Sequence, residues 1–528
     1  MRIGVDVAAE ARALVQGLVR APWGQVSPSV YETGRLVTLT PWLTGHDRRV
    51  AYLLRTQRPD GGWGAPEAGY ALVPTLSATE ALLSVLHADP GGAPAVVAAA
   101  DAGLERLTGL LPGAGRSRLP DMPAIELIVP SLITLIGRHL LAPPPGLEHR
   151  RDLVLPLPAG MDNAKLAMIR AMLASGAVVP QKLLHALEIV GDTARGLPHV
   201  RPEATGTIGA SPAATAAWLG DRPPADPSDP ARWHLETVAS WHDGPVPVGY
   251  PLTVFERGWV LAWLARAGIP FTTPPELVLS LTAPLGPAGT SAAAGLPADA
   301  DTTAGALYAL ALLGAPHSPD ALWEYETPTH FCTWAGEDGF SLTTNAHVLE
   351  AFGQYLESVG RDRLKEETAR RYDATIRKVG DWLCEQQHQD GSWTDRWHAS
   401  PYYATACCVF ALDRFGGGAY TAAVQRARRW VLDTQHPDGS WGRWGGTAEE
   451  TAYAVQILLL TSSSSGDEPV RAALRAADLL SSALTGDAAD EPPALWHDKD
   501  LYHPTAIVRA AVLVSAHLLQ SATGIAIK

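Results

Sequence analysis

A short pattern occurs three times in this chain: a glutamine, five intervening residues that include Asp-Gly, and a tryptophan. The copies are "QRPDGGW" from Gln57, "QHQDGSW" from Gln387 and "QHPDGSW" from Gln435, each between two stretches with helical spacing of apolar residues. Asp-Gly favours a turn with positive φ. The glutamine can bond backbone groups at a helix end while the tryptophan ring covers the junction.

The distance between copies indicates the size of the repeated unit. Gln387 and Gln435 lie 48 residues apart, about the length of two helices with their loops. Repeated helical hairpins either stack as an open solenoid or close into a barrel of inner and outer helices. Ala and Leu abound, and segments such as "TTAGALYALALLG" carry apolar residues at helical spacing, so the predicted fold class is all-α.

The chain of 528 residues is too long for one ordinary core, and its length suggests two to four domains. Breaks rich in Pro, Gly and Asp interrupt the helical pattern at 141–149, 219–233 and 282–301. The last break is the best boundary, so we predict one helical domain over 21–270 and a second over 271–528. Residues 1–20 are expected to form a helix that packs on the second domain.

Composition limits the binding partners and the cellular compartment that can be expected for this protein. A formal net charge of -14 leaves no basic surplus to neutralise phosphates, so nucleic acid is not an expected partner. The four cysteines form no CxxC pair, which predicts reduced core thiols. The sequence shows no signal peptide and no run of 18 apolar residues, so we expect a cytoplasmic protein without a transmembrane segment.

The stretch "GLPADADTTAGALYALALLG" places two carboxylates directly before a very apolar helix. Asp299 and Asp301 could serve as a helix cap, as metal ligands, or as an acid where water is scarce. Two carboxylates this close can share one proton, because like-charge repulsion raises the pKa of one of them. Spacing alone leaves these interpretations open.

Together these features resemble the class II terpene cyclases, a superfamily that includes squalene–hopene cyclases and the copalyl and drimenyl diphosphate synthases. Besides the repeats and the Asp-x-Asp motif, further segments are similar to the family in the expected order: "VYETGRL" (30–36), "LPDMPAIELIVPSLI" (119–133), "GTIGASPAATAAWL" (206–219), "VPVGYPLTVFERGW" (246–259), "TTNAHVLEAF" (343–352), "WTDRWHASPYYAT" (393–405) and "LWHDKDLYHPTAIVRAAVL" (495–513). The resemblance covers nearly the whole chain. It implies two α/α-barrel domains, γ over 21–270 and β over 271–528, with the active cavity between them.

The resemblance assigns the acid chemistry to three residues. Asp301 matches the family's acid, which protonates a carbon–carbon double bond, and Asp299 is its partner. Asn345 matches the residue that bonds the acid and orients its proton, whereas His347 is interpreted as structural. The alternative is that Asp301 caps the helix from Thr302 onward, and both roles are compatible because a helix N-terminus stabilises a carboxylate.

A carbocation in the cavity needs walls that stabilise it without trapping it, and aromatic faces do so through cation–π interactions. Most of the 17 tryptophans are expected to be core or repeat residues. Six aromatic residues of the matching segments are candidates for the substrate cavity: Trp334, Phe340, Tyr402, Tyr403, Trp496 and Tyr502.

The resemblance also implies a diphosphate site. Lys165 matches the family's diphosphate-binding lysine, and Arg396 and Lys499 are further candidates. Asp121 and Glu126 lie in the segment where acidic residues help to hold Mg²⁺ and the diphosphate, since oxygen ligands suit a hard cation. The alternative is a solvated helix end, with Lys165 in a surface ion pair.

These expectations combine into one reaction on a linear prenyl diphosphate. The diphosphate is expected to stay in the product, because the Asp-Asp-x-x-Asp motif of class I terpene synthases is absent. The family's usual Asp-x-Asp-Asp reads "DADTT" at 299–303, which resembles variants found in bacterial drimenyl diphosphate synthases. This favours farnesyl diphosphate as substrate and a bicyclic drimane-type product; the alternative is geranylgeranyl diphosphate and a copalyl- or halimadienyl-type product.

Two other classes of protein remain as competitors. A protein prenyltransferase-like barrel would need a zinc site of Asp, Cys and His, and no such ligand pattern is found in the sequence. A non-catalytic helical scaffold would have no use for paired acids in an apolar setting.

Overall fold

The computed structural model describes residues 5–91, 93–115, 119–337, 339–461, 467–486 and 493–523. The helices of the first half are α1 (Val7–Arg20), α2 (Val30–Leu39), α3 (His46–Arg55), α4 (Ala68–Ala88), α5 (Pro94–Leu110), α6 (Ile125–Leu141), α7 (Ala164–Ala174), α8 (Gln181–Leu184), α9 (Pro212–Leu219) and α10 (Pro230–Trp241). A 3-10 segment over Leu187–Ala194 precedes α9.

The second half is also helical, with one short hairpin near its end. Its helices are α11 (Thr253–Arg266), α12 (Pro275–Thr282), α13 (Ala300–Leu312), α14 (Leu342–Val359), α15 (Glu366–Glu385), α16 (Pro401–Phe415), α17 (Thr421–Asp433), α18 (Ala448–Leu460), α19 (Asp467–Arg475), α20 (Ala477–Thr485) and α21 (Thr505–Thr523). Strands β1 (Trp496–His497) and β2 (Leu501–Tyr502) pair antiparallel between α20 and α21, with Trp496 opposite Tyr502.

Helices of the second half form a closed inner ring. α11 packs on α13, α13 on α14, α14 on α16, α16 on α18, α18 on α21, and α21 returns to α11. The connecting helices α12, α15, α17, α19 and α20 form the outer layer, and α1 joins them by packing on α11, α12 and α21. The repeated hairpins therefore close into an α/α barrel, as the resemblance implies, rather than stacking as an open solenoid.

The sequences of the two layers explain their positions. Inner helix α13 is buried on every side from Thr302 to Ala311, which its run of Ala, Leu and Gly allows. Outer helix α15 buries one stripe, including Tyr372, Thr375 and Val379, and exposes charged residues elsewhere. Such an amphipathic pattern places a helix at the surface with its apolar face inward.

The first half forms a second, smaller ring. α2 packs on α4, α4 on α6, α6 on the segment Leu187–Ala194, that segment on α9, and α9 on α2. Outside it, α3 packs on α2, α5 on α4, α7 on α6 and α10 on α9. The chain therefore contains two closed helical rings.

Helix α11 shows where the two barrels divide. It precedes the boundary predicted at residue 270, yet it packs on α13 and α21 of the second ring. Gly305 of α13 permits this contact, because a Cβ there would lie 2.3 Å from the ring of Trp259 on α11. The structural division therefore falls between α10 and α11, and the predicted boundary at 270 comes one helix too late.

Each repeat glutamine joins a turn to the next outer helix. Gln435 donates from Nε2 to the carbonyls of Gly439 and Ala472, both at 2.8 Å. Trp441 is fully buried and donates from Nε1 to the carbonyl of Val431 at 2.7 Å. The copies that begin at Gln57 and Gln387 make the corresponding bonds. The predicted role of the repeat, a bonded glutamine beside a covering tryptophan, is confirmed.

Two helices in the described part of the chain are long and apolar enough to cross a membrane by length and composition alone. They are Ala68–Ala88 and Thr505–Ala522, and 78% and 61% of their apolar windows are buried inside the protein. α4 and α21 are both members of the inner rings, so their apolar character is that of core helices.

The repeat bonds lead to a prediction about stability. The variant Gln435→Ala leaves the carbonyls of Gly439 and Ala472 without their side-chain donor at a partly buried junction. We expect it to lower the free energy of unfolding by about 1–2 kcal/mol, measured by chemical or thermal unfolding. Gln386→Ala, at a half-buried position just before a repeat, is the matched control. Equal stability of the two variants would contradict the role assigned to Gln435.

Candidate active site

Asp299 and Asp301 lie at the start of the inner helix α13. Asp299 has an extended backbone immediately before the helix, and its Oδ1 accepts the backbone N–H of Thr302 at 2.6 Å. Asp299 is therefore the N-cap, and the alternative that Asp301 caps this helix is wrong. Asp301 lies in the first helical turn, where the helix N-terminus favours a negative charge.

The two carboxyl groups differ in their surroundings. Asp299 is 7% exposed, and its burial together with the charge of Asp301 raises the pKa of Asp299 to about 8. The side chain of Asp301 keeps 15% of its surface accessible. The pair therefore holds a proton at neutral pH, which a carboxylic acid needs before it can donate one.

His347, on the neighbouring inner helix α14, bonds the acid. Its Nδ1 lies 2.9 Å from Oδ1 of Asp301. Burial lowers the pKa of His347, but the Asp301 carboxylate outweighs burial, so the pKa lies well above its ordinary value. His347, interpreted from the sequence as structural, thus contacts the acid directly and can stabilise its conjugate base.

Asn345 does not reach Asp301. Its Oδ1 accepts the N–H of Phe331 at 2.8 Å, and its Nδ2 donates to the carbonyls of Phe331 at 2.9 Å and Ser341 at 2.8 Å. The loop before α14 thus uses both amide donors. Side chains two positions apart on a helix point to different sides, which is why Asn345 faces this loop while His347 faces the acid. The predicted bond between Asn345 and the acid is wrong.

Five aromatic side chains, here called the aromatic cluster, lie beside the acid: Phe255, Trp259, Tyr403, Trp496 and Tyr502. Trp259 meets His347 edge-on, with 4.9 Å between ring centroids. Its Nε1 donates to the hydroxyl of Tyr403 at 2.8 Å, and Tyr403 lies 4.6 Å from Trp496. The ring centroid of Tyr502 lies 6.4 Å from that of Trp496. Burial raises the pKa of Tyr502, and the charge of Asp301 adds to this rise. These rings offer π faces to a cation.

Sequence reasoning singled out three of the cluster residues and missed Phe255 and Trp259. Both lie within the quoted segment "VPVGYPLTVFERGW", but the domain boundary predicted after it assigned them to the wrong barrel. Phe255 contacts Trp259 at 4.5 Å and Trp496 at 5.6 Å. The signal that could have placed Trp259 is Gly305, the small residue that admits its ring.

The other predicted cavity aromatics lie elsewhere. Tyr402 packs on Trp430 of the outer helix α17, with 4.6 Å between centroids, so it belongs between the two layers and not to the wall beside the acid. Trp334 is half-buried and lies edge-on to Trp397 at 5.3 Å. Phe340 is 49% exposed and lines the cavity described next.

A cavity of about 340 Å³, here called the junction cavity, lies where the two barrels meet. Tyr70 and Asp121 from the first barrel face Phe340, Arg396 and Arg443 from the second. Two guanidinium groups at one cavity are suited to phosphate oxygens. Arg443 was not identified from the sequence, because it lies within a Gly- and Trp-rich loop after the last repeat.

The junction cavity and the acid share neighbours. His398 lines the cavity and stacks on Tyr403 of the aromatic cluster, with 4.8 Å between centroids. Leu342, another lining residue, begins the helix that carries His347. Packed side chains, among them His398 and Tyr403, therefore connect the wall of the junction cavity with the residues around Asp301.

Lys499, predicted to bind the diphosphate, is fully buried and already paired. Its Nζ lies 2.5 Å from Glu32 and 2.9 Å from Glu188, and it donates to Ser211 at 2.8 Å. Burial lowers the pKa of Lys499, but the charges of Glu188 and Glu32 outweigh burial and raise it. Lys499 is thus a charged, structural link between the barrels, and its predicted role at the diphosphate is wrong.

The remaining phosphate and metal candidates are more open. Lys165 is exposed on α7, and Glu126 is half-buried in the first turn of α6. Asp121 is 63% exposed and pairs with Arg396 at 2.9 Å. Within the described ranges, no three His, Cys, Asp or Glu side chains group as metal ligands. Asp121 and Glu126 are thus not part of such a group, and their contact with Mg²⁺ stays a prediction.

Similar proteins were found for nearly the whole chain. Residues 343–482 match the family model described as squalene-hopene cyclase C-terminal domain. The chain is 44% identical over 505 residues to an ent-copalyl diphosphate synthase of Streptomyces sp. (strain KO-3988), which covers 96% of this chain and 94% of the relative. It is 42% identical over 530 residues to a labda-7,13-dienyl diphosphate synthase of Streptomyces clavuligerus, covering 97% and 92%.

A solved structure agrees over the same length. The ent-copalyl diphosphate synthase from Streptomyces platensis has a TM-score of 0.90 at 44% identity, and the match covers 98% of this chain and 100% of that chain. The two closed barrels, the carboxyl pair and the similarity along the whole chain lead to one family. The chain belongs to the class II terpene cyclases and is a bacterial enzyme of that family.

Proposed function

We propose that this enzyme cyclises geranylgeranyl diphosphate to a bicyclic copalyl- or halimadienyl-type diphosphate and leaves the diphosphate intact. The observation that carries the proposal is the Asp299–Asp301 pair, which holds a proton beside an aromatic cluster. The length of the substrate rests on the relatives, which are named copalyl and labdadienyl diphosphate synthases.

The proposed reaction begins with a proton transfer. Asp301 donates the proton that it shares with Asp299 to the terminal carbon–carbon double bond, and the electron pairs of successive double bonds close two rings. The carboxylate left on Asp301 is stabilised by the N-terminus of α13 and by the Nδ1 of His347. The aromatic cluster stabilises the positive charge as it moves, and loss of a proton from carbon ends the cascade.

Arg396 and Arg443 are proposed to hold the diphosphate end at the junction cavity, with Lys165 as a further contact. Arg396 already donates to Asp121 and Glu337, so a diphosphate would exchange one of these partners. Asp121 and Glu126 are proposed as oxygen ligands of a Mg²⁺ ion that accompanies the diphosphate, since one or two carboxylates suffice when phosphate oxygens supply the other ligands. Mg²⁺ enters the proposal as the counter-ion of the diphosphate, and no step is assigned to it.

The "DADTT" variant does not support farnesyl diphosphate, because its threonines serve the local structure of the acid. The side chain of Thr302, like its backbone N–H, bonds the capping Asp299. The hydroxyl of Thr303 lies between the N–H and the carbonyl of Thr290, at 2.9 Å and 3.2 Å. Neither contact depends on the length of the substrate. The names of the relatives therefore favour geranylgeranyl diphosphate over farnesyl diphosphate and its drimane-type product.

The proposed substrate is tested by offering farnesyl and geranylgeranyl diphosphates separately, with Mg²⁺ present. The products are then dephosphorylated and analysed by mass spectrometry. We expect a bicyclic C20 alcohol from geranylgeranyl diphosphate, and a rate about 10³-fold lower for Asp301→Asn, since loss of general acid catalysis typically costs 10²–10⁴-fold. Linear alcohols from both substrates, or a bicyclic product from farnesyl diphosphate alone, would contradict the proposal.

The carboxyl pair also predicts how the rate depends on pH. Burial and the charge of Asp301 raise the pKa of Asp299 to about 8, so the pair loses its shared proton as the pH rises through this value. We expect kcat to fall about tenfold per pH unit above that point. In Asp299→Asn, which keeps a capping side chain, the carboxyl whose pKa is raised to about 8 is absent, and no proton is shared between two carboxyl groups.

The fall in rate that the wild type shows above about pH 8 should therefore be absent from Asp299→Asn. Stability gives a second readout: the folded state keeps the Asp299 proton between about pH 4 and 8 while the unfolded chain releases it, so wild-type stability falls over this range. Asp299→Asn should lack this decline. Identical pH profiles of rate and unfolding for the two proteins would contradict the shared proton.

A further inference from the structure

Two buried polar atoms face each other near the aromatic cluster without a hydrogen-bond partner among the described residues. They are Oε2 of Glu449, on α18, and Nδ1 of His503, immediately after β2, and they lie 3.8 Å apart. Buried polar atoms are nearly always bonded, so an unpartnered pair needs an explanation. The reaction proposed so far also lacks the base that ends it.

Glu449 is held firmly by its other oxygen. Oε1 lies 3.0 Å from Nε2 of His398 and accepts the N–H of Trp496 at 2.7 Å and the hydroxyl of Tyr453 at 3.0 Å. Burial raises the pKa of Glu449, but the bond and charge of His398 outweigh burial, and the pKa is lowered. Glu449 is thus an ionised carboxylate with one oxygen turned towards His503.

His503 has the properties of a base. Burial lowers its pKa, so the imidazole is neutral and able to accept a proton. Its side chain keeps 8% of its surface accessible, whereas Glu449 keeps 3%. Once the imidazole of His503 has accepted a proton, the negative charge of Glu449 attracts the resulting imidazolium and stabilises it.

The position of these residues relates them to the acid. Tyr502, the neighbour of His503 in sequence, belongs to the aromatic cluster, and Trp496 of the same cluster bonds Glu449. The phenol of Tyr502 feels the charges of both Asp301 and Glu449. The acid and the Glu449–His503 pair therefore border the same group of rings.

We propose that His503 is the base that ends the cyclisation, with Glu449 as its positioning residue. A carbon–hydrogen bond next to the final cationic carbon breaks, its electron pair forms the new double bond, and the proton passes to the imidazole. The resulting imidazolium is stabilised by Oε2 of Glu449. Asp301 has given up one proton at the start, so the reaction is an isomerisation once the proton on His503 returns to Asp301 through solvent.

The test compares the products of His503→Phe, Glu449→Gln and wild type from geranylgeranyl diphosphate. His503→Phe keeps the acid and the rings but has no proton acceptor. We expect it to consume substrate, with the fraction of the wild-type product at least tenfold lower and isomeric alkenes or hydroxylated products in its place. Glu449→Gln should shift the products in the same direction to a smaller extent.

His234→Phe is the matched control. His234 is also buried and its Nε2 is likewise without a partner, but it lies on α10 of the first barrel and packs on Trp23. Its product should be that of the wild type. A wild-type product ratio in His503→Phe would overturn the inference, and so would an unchanged ratio in Glu449→Gln if His503→Phe does not fold.

This inference rests on the proposed function, and the same assay separates the two. If the wild type cyclises neither geranylgeranyl nor farnesyl diphosphate, the proposed function fails. If the wild type cyclises geranylgeranyl diphosphate and the variants give the same product ratio, only the role of His503 fails.

Discussion

The active site depends on a lysine that has no contact with water. Lys499 lies in the turn between β1 and β2, and its ammonium is enclosed by Glu32 and Glu188 of the first barrel. A buried charge is costly unless it is paired and fully hydrogen-bonded, so the turn is stable only in the position where these carboxylates enclose the lysine. The neighbouring residues hold the turn in the same position. Asp498 pairs with His185, and Asp500 accepts the N–H of Tyr31.

The position of this hairpin determines where the aromatic cluster and His503 lie relative to Asp301. The strands on either side of the turn supply Trp496 and Tyr502 to the aromatic cluster, and His503 follows directly. The second barrel supplies the acid on α13 and its partner His347 on α14. Asp299, the partner of the acid, is under a related constraint, because it is buried beside the like charge of Asp301. It therefore keeps a proton that water would otherwise remove.

Much of the architecture follows from short-range features of the sequence. The repeat, its turn and its glutamine form one local unit, so the helical hairpins and their bonds could be anticipated, whereas the closed barrels followed from the family resemblance. The Asp299–Asp301 pair could be identified from spacing and family resemblance. Residues whose role depends on orientation or burial could not. Asn345 and His347 lie two positions apart on α14, and only their orientation decides which of them reaches Asp301. Lys499 resembles a surface lysine in sequence, and its two carboxylate partners come from the other barrel.

The central claim is that Asp301 starts the reaction by protonating carbon. The most direct measurement is to run the reaction on geranylgeranyl diphosphate in D₂O and to determine the mass of the dephosphorylated product and of its fragments by mass spectrometry. The acid exchanges its proton with solvent, so the account predicts one deuterium on a ring carbon of every wild-type product molecule. A cyclic product without deuterium would contradict protonation as the first step, and a labelled product formed at the wild-type rate by Asp301→Asn would contradict the choice of acid.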